Sequence, residues 1–212
     1  MNKLMLIVFL ALAVAISGCA AAGENPASIN QPQGSGDSGA GSPALNSGDL
    51  RWTASNHLPP GHFYLHLNAE QLQEKGIIPD LGFPVSATAN RRPDGSILVI
   101  IVEELPNGNP THPRTAIMIE SHGFDFNYVF LGEEPINLDI HSVPVSAGVF
   151  DSGAPGIASF YATFEMDGIS YSVSLPYYEA GDSGMDRLTE VVSTIIQNGP
   201  ADLGALPSPT AA

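Results

Sequence analysis

Positive charge is what this chain has least of. Seven Lys and Arg stand against 22 Asp and Glu in 212 residues, a formal charge of −15. Phosphate backbones are gripped by Lys and Arg, so this balance excludes nucleic-acid binding and adhesion to anionic lipid by charge alone. Cysteine occurs once, at position 19. No intramolecular disulfide and no thiolate-rich metal site can therefore form. Long apolar runs are missing as well. The uncharged apolar stretch Leu4–Ile16 has thirteen residues, whereas a helix that crosses a bilayer needs about 20.

What is present begins with that short run. The chain opens "MNKLMLIVFLALAVAISGC", with Lys3 before the apolar core and small residues after it. A charged start, a short apolar core and small residues together mark an export signal. Ile16-Ser17-Gly18-Cys19 resembles the bacterial lipobox. The resemblance implies cleavage before Cys19, a diacylglycerol on its thiol and often a further acyl chain, such as palmitate, on the new amino terminus. It also explains why an exported chain keeps an odd cysteine. Each buried methylene contributes about 0.8 kcal/mol and stable anchoring takes more than one chain, so a lipidated Cys19 suffices as a tether. The expected location is the extracytoplasmic side of the cell membrane, or the outer membrane where the cell has one. Lys3 leaves with the signal, so six basic residues face 22 acidic ones and the mature side-chain charge is −16.

Residues 20–50, "AAAGENPASINQPQGSGDSGAGSPALNSGDL", hold no aromatic residue. Such a composition buries too little apolar surface to offset the entropy of ordering. It reads as a flexible leash of roughly 30 Å typical end-to-end distance. The expected organisation is a lipoprotein signal peptide (1–18), the lipidated cysteine with its linker (19–50), one domain (51–199) and an irregular tail (200–212).

Within the domain, "SFYATFEMDGISYSVSL" (159–175) is the most constrained stretch. Asp167-Gly168 is a preferred two-residue hairpin turn. It pairs Met166 with Ile169, Phe164 with Tyr171, Ala162 with Val173 and Phe160 with Leu175, all apolar and all on one face. Ser170, Ser172, Ser174, Thr163 and Glu165 fall on the other, which reads as wet. A one-residue slip would ruin that agreement. "SILVIIVEE" (96–104) does not alternate and predicts a strand covered on both sides. "TAIMIES", "DFNYVFL", "INLDIHSV" and "VSAGVF" are further short β-rich runs. Two helices are predicted. One spans Ala69–Lys75, between the N-cap Asn68 and the stop Gly76. The other spans Met185–Asn198, with Leu188, Val191, Val192, Ile195 and Ile196 at helical spacing. The fold class is α+β: a twisted antiparallel sheet with the C-terminal amphipathic helix packed across one face.

"HLPPGHFYLHL" and "YATFEMDGISYSVSLPYYEA…MDRLTEVVSTII" resemble an uncharacterised extracytoplasmic domain of Gram-positive lipoproteins and anti-sigma-type sporulation proteins. The shared features are a leading LP-x-G strand, a late hairpin and a closing helix, and the middle of the domain is unmatched. The resemblance implies a sensor or accessory role and carries no catalytic residues.

Chemical motifs are weighed next. "GDSG" occurs at 36–39 and 181–184 and resembles the nucleophile loop of chymotrypsin-like proteases. The first copy lies in the leash, and in the second Asp182 or Ser183 suits a helix N-cap. His57, His62 and His66 are the candidate metal ligands, but His62 and His66 on a strand lie about 13 Å apart, so a structural role is expected. Glu103-Glu104 and Glu133-Glu134 are adjacent and point to opposite faces of a strand, as solubilising ends rather than catalytic pairs. "EAGDSGMD" lacks the alternating ligands of a calcium loop. Tyr171, Tyr177, Tyr178, Phe160 and Phe164 could line a groove or fill the core. No cofactor motif is read.

The expected role is therefore non-enzymatic: an anchored module that binds an envelope protein, peptide or polymer, with Ser170, Ser172 and Ser174 as the candidate binding face. The alternatives are a small envelope hydrolase with a loop-built site and a carrier of an apolar ligand between sheet and helix. The organisation itself is testable. Limited proteolysis of the mature protein is expected to cut within residues 20–50 and leave a stable fragment starting near Arg51. Early cutting inside 96–175 would overturn the single-domain reading.

Overall fold

The fold comes from a computed structural model, in which residues 50–54, 60–105, 114–121, 135–151, 156–179 and 182–208 are described. Residues 1–49, which hold the expected signal, Cys19 and most of the expected linker, together with His57, the "DFNYVFL" run and Glu133-Glu134, lie outside the described residues. Nine strands form one sheet: β1 (Thr53–Ala54), β2 (Phe63–Asn68), β3 (Val85–Arg91), β4 (Ile97–Glu103), β5 (Ala116–Ser121), β6 (Ile136–Ile140), β7 (Val143–Asp151), β8 (Ile157–Met166) and β9 (Ile169–Glu179). Among the described residues two α-helices accompany them, α1 (Ala69–Glu74) and α2 (Asp182–Asn198). The spatial order is β1-β2-β3-β4-β5-β9-β8-β7-β6, with every neighbouring pair antiparallel. The chain builds one half from the β1 edge inward, then adds β6 to β9 so that β9 closes against β5.

The hairpin register follows from its turn. β8 and β9 pair Met166 with Ile169, Phe164 with Tyr171, Ala162 with Val173 and Phe160 with Leu175. Asp167 and Gly168 take φ of 50° and 76°, the left-handed pair that a two-residue turn needs to match strand twist. Across the sheet, period-two alternation sends one side chain in two to a shared core face. Val99, Ile119, Tyr171 and Phe164 form one such row across β4, β5, β9 and β8.

The C-terminal helix packs on that face, against β8 and β9. Its stripe of Leu188, Val191, Val192, Ile195 and Ile196 is buried. The fold is therefore α+β, dominated by its sheet. α2 begins at Asp182, three residues earlier than its apolar periodicity predicts, because the second GDSG copy supplies its first turn rather than a preceding cap. Gly184 shows why that turn holds glycine: a Cβ there would lie 2.1–2.5 Å from three atoms of the Phe160 ring.

α1 is held at both ends. The Asn68 side chain accepts from the Gln71 N–H, and the Asn68 N–H donates to the Gln71 side chain, a capping box. At the other end the Ile77 N–H reaches the Leu72 carbonyl, and the Gly76 N–H reaches Gln73. With Gly76 at φ 64°, this is a Schellman ending. The irregular tail is corrected over its first part. Leu203–Ala205 form a short 3-10 helix, and Ala201, Leu203 and Leu206 are buried. The Ala201 N–H donates to the Tyr171 hydroxyl at 2.7 Å, and the Asp202 N–H donates to the Gly76 carbonyl. Two further differences concern strands. β4 is fully buried on one face only, through Ile97, Val99 and Ile101, while Leu98, Ile100 and Val102 are half-buried. The "INLDIHSV" run breaks at His141-Ser142, a two-residue turn at φ 51° and 65°.

Gly184→Ala isolates the helix–sheet contact. On an exposed helix this change stabilises by up to about 1 kcal/mol. Here the methyl meets a buried ring, and overpacking costs about 1–3 kcal/mol, so a lower urea or thermal midpoint is expected. A raised midpoint would show that Phe160 does not hold that position.

Candidate binding surface

The serine face sits on the sheet side opposite α2, and its centre is not wet. Ser170 and Ser172 are 4% and 2% exposed, and only Ser174 is half-buried. Register gives the reason. Ser172 lies between Met118 of β5 and Thr163 of β8, and Ser170 lies between Glu120 and Glu165. Short side chains in the troughs between longer cross-strand neighbours are shut off from solvent. β5 is remote in sequence, so nothing in the hairpin itself signals this. Ser170, Ser172 and Ser174 therefore do not form an open recognition face.

The same row opens at its other end. It runs from Ser172 through Met118 and Ile100 to Thr88 and His66. Leu98, Ile100 and Met118 are half-buried and His66 is exposed. The Tyr64 and His66 rings meet edge to face with centroids 5.3 Å apart, and His66 Nδ1 lies 3.2 Å from the Thr88 hydroxyl. His66 is thus a surface residue fixed by its neighbours, and His62 is half-buried just before β2. Among the described residues no cluster of three or more His, Cys, Asp or Glu is disposed to hold a metal ion. Aromatic rings beside a half-buried aliphatic floor are chemistry suited to an apolar or polymeric surface contact.

Three polar clusters escape sequence reasoning, because each joins elements far apart in the chain. Glu120, 3% exposed, is paired to Arg92. This neutralises a carboxylate that would be costly to bury alone. At one end of the sheet the Arg187 guanidinium lies 5.0 Å over the Phe83 ring and donates to Glu190 at 2.7 Å. Arg187 also hydrogen-bonds Tyr178, whose pKa is raised by burial and by the Glu103 charge, with Arg187 opposing. Burial disfavours the Arg187 charge, but its hydrogen bond and charge pairing with Glu190 outweigh this and raise its pKa. Glu103 accepts from the Thr115 N–H at 2.8 Å, so it serves a strand end, while Glu104 is exposed. The cluster fastens the first turns of α2 to the sheet.

The third cluster gathers His141, Ser193 and Gln197. His141 Nε2 lies 2.8 Å from Ser193 Oγ and 2.7 Å from Gln197 Nε2. A serine beside an imidazole is the start of a nucleophile pair, but here the amide shares the same ring nitrogen and Ser193 sits mid-helix. The contact has a structural task. His141 and Ser142 both hold positive φ, which is strained for residues other than glycine. The side chains of α2 and the Asp139 carboxylate, which accepts from the Ser142 N–H at 3.0 Å, hold that turn.

The candidate aromatics other than Tyr177, whose side chain is not among those described, divide as core and cluster. Tyr171 and Phe160 are fully buried, and Tyr171 stacks on Phe164 with centroids 4.8 Å apart. Burial raises the Tyr171 pKa, the Ala201 N–H opposes, and Asp167 adds to the rise. Fold and surface together define a sheet-dominated α+β domain with one aromatic-lined, half-apolar outer face. Comparison with protein-family models, curated proteins and solved structures gives no match.

The buried serine yields a sharp expectation. Ser172→Asp places a carboxylate between Met118 and Thr163, where an unpaired charge costs several kcal/mol or forces protonation. The melting temperature is expected to fall markedly, and more at pH 7 than at pH 4. A silent substitution would return that face to water.

Proposed function

We propose that the chain is a lipid-anchored, extracytoplasmic binding or accessory module of the cell envelope. The observation that carries the reading is Cys19: a single cysteine, directly after a thirteen-residue apolar run and Ile16-Ser17-Gly18. The leash-like residues 20–50 support it, since they would let a folded unit work away from the bilayer. The resemblance to an uncharacterised extracytoplasmic lipoprotein domain, which implies a sensor or accessory role, points the same way. The partner is an envelope protein, peptide or polymer that meets the face around Tyr64, His66 and Thr88, above Leu98, Ile100 and Met118. The strong acidity favours a neutral or cationic partner. At Phe160 and Gly184 the helix–sheet interface is too close for a Cβ, so the carrier alternative has no room for an apolar ligand at that point.

Cys19→Ala tests the anchor. The variant is expected to leave the detergent phase for the aqueous phase, or to accumulate as uncleaved precursor. A variant that partitions and matures like the parent would end the lipoprotein reading. Tyr64→Ala combined with His66→Ala tests the surface. Crosslinked partners seen with the parent are expected to disappear while the melting temperature changes little. Unchanged capture would assign recognition to another face.

A further inference from the structure

We infer that the β6 edge is a docking surface for a second copy of this chain, joining two sheets across a twofold axis at Leu138. β6 is the outer strand of the sheet and, among the described strands, pairs only with β7. Ile136, at 48%, is the large hydrophobic side chain left exposed among the described residues. It lies on the core face, in register with Ala147 and Ala162.

The turn determines which backbone groups face outward. In a two-residue hairpin the flanking pair exchanges both hydrogen bonds and the pairs then alternate. Ile140 and Val143 flank the His141-Ser142 turn, so Ile140, Leu138 and Ile136 bond to β7. Asn137 and Asp139 are left with N–H and C=O groups directed away from the sheet. Pro144 agrees with this parity. It stands opposite Asp139, so its missing N–H costs the β6–β7 ladder nothing, and the pairing of β7 with β8 begins only at Val145.

An outward edge can be satisfied by another strand, and the residue pattern selects a second copy. With the axis at Leu138, Asn137 meets the partner's Asp139 and Asp139 meets the partner's Asn137, giving four backbone hydrogen bonds. Each side-chain pair joins an amide donor to a carboxylate acceptor. On the other face Leu138 meets its own copy, and Ile136 meets the partner's Ile140. The neighbouring registers are worse. An axis at Asp139 opposes two like charges, and an axis at Asn137 sets Asp139 against the partner's Pro135, which has no N–H. The His141–Ser193 and Gln197 contacts hold the turn that presents the edge, so little order is lost on pairing. The mature charge of −16 opposes association, and salt screens that repulsion. The ladder is short, so the dimer is weak in solution and favoured by confinement to a membrane.

The test uses membranes from cells making the full chain with Leu138→Cys, oxidised and resolved without reductant. The parent, carrying only Cys19, serves as the control. A covalent dimer is expected with Leu138→Cys and absent from the parent. Adding Asn137→Lys, which faces the partner's Asp139 twice, should strengthen it, whereas Asn137→Asp should weaken it. Two such cross-strand pairs shift the dimer constant by roughly tenfold in each direction. The yield should also rise between low and physiological salt. Sedimentation of the Asn137 variants with Leu138 intact provides the same ranking without the added thiol. The inference fails if no dimer forms in any variant, which would leave a foreign peptide as the strand that fits this edge. It also fails if Asn137→Asp crosslinks as well as Asn137→Lys, since the register would then be wrong.

Discussion

The pairing of β8 with β9 is the constraint on which the rest of the domain depends. A two-residue turn at Asp167-Gly168 admits one register, and that register puts Phe160, Ala162, Phe164, Tyr171, Val173 and Leu175 on one side. Once this surface exists, α2 has somewhere to bury its stripe, and β5 and β7 have edges on which to add. Tyr171 then carries the constraint outward. Its ring stacks on Phe164 and its hydroxyl accepts from Ala201, so the hairpin also positions the chain after α2.

Much of this was legible because it is local. The turn dipeptide, the alternation on either side, Asn68 as a cap, Gly76 as a stop and the helical spacing of α2 each report on neighbours within a few residues. β3 was missed because its inward positions are Val85, Ala87 and Ala89, and alanine signals strand poorly. The His141-Ser142 turn was missed for a related reason. Neither residue is glycine, and beside the local Asp139 carboxylate the groups that hold it come from a helix some fifty residues later. The serine face failed on the same ground, since exposure is set by what stands on the adjacent strand.

The candidate site divides along that line. Cys19 and its context are read from contiguous residues, and the functional reading rests on them. The outer face of Tyr64, His66 and Thr88 emerges only when β2 and β3 are laid beside β4 and β5. The polar clusters are pairings across elements. Arg92 with Glu120, and Arg187 with Phe83, Tyr178 and Glu190, are spent on joining parts of the fold.

The order of the strands also bears on tension. β1, where the chain enters the sheet, and β6 lie at opposite edges, so a pull between the chain before β1 and anything gripping β6 would run across the strands and load the ladders in series. The link at β1 has only two residue pairs and would peel first. The Trp52 indole, however, donates to the Pro207 carbonyl, next to the buried Leu206. That bond offers a parallel route around the weakest ladder, through the closing segment to Ala201 and the hydroxyl of Tyr171. Tension entering the sheet at β1 would thereby be shared with the centre of the sheet instead of falling on its thinnest edge.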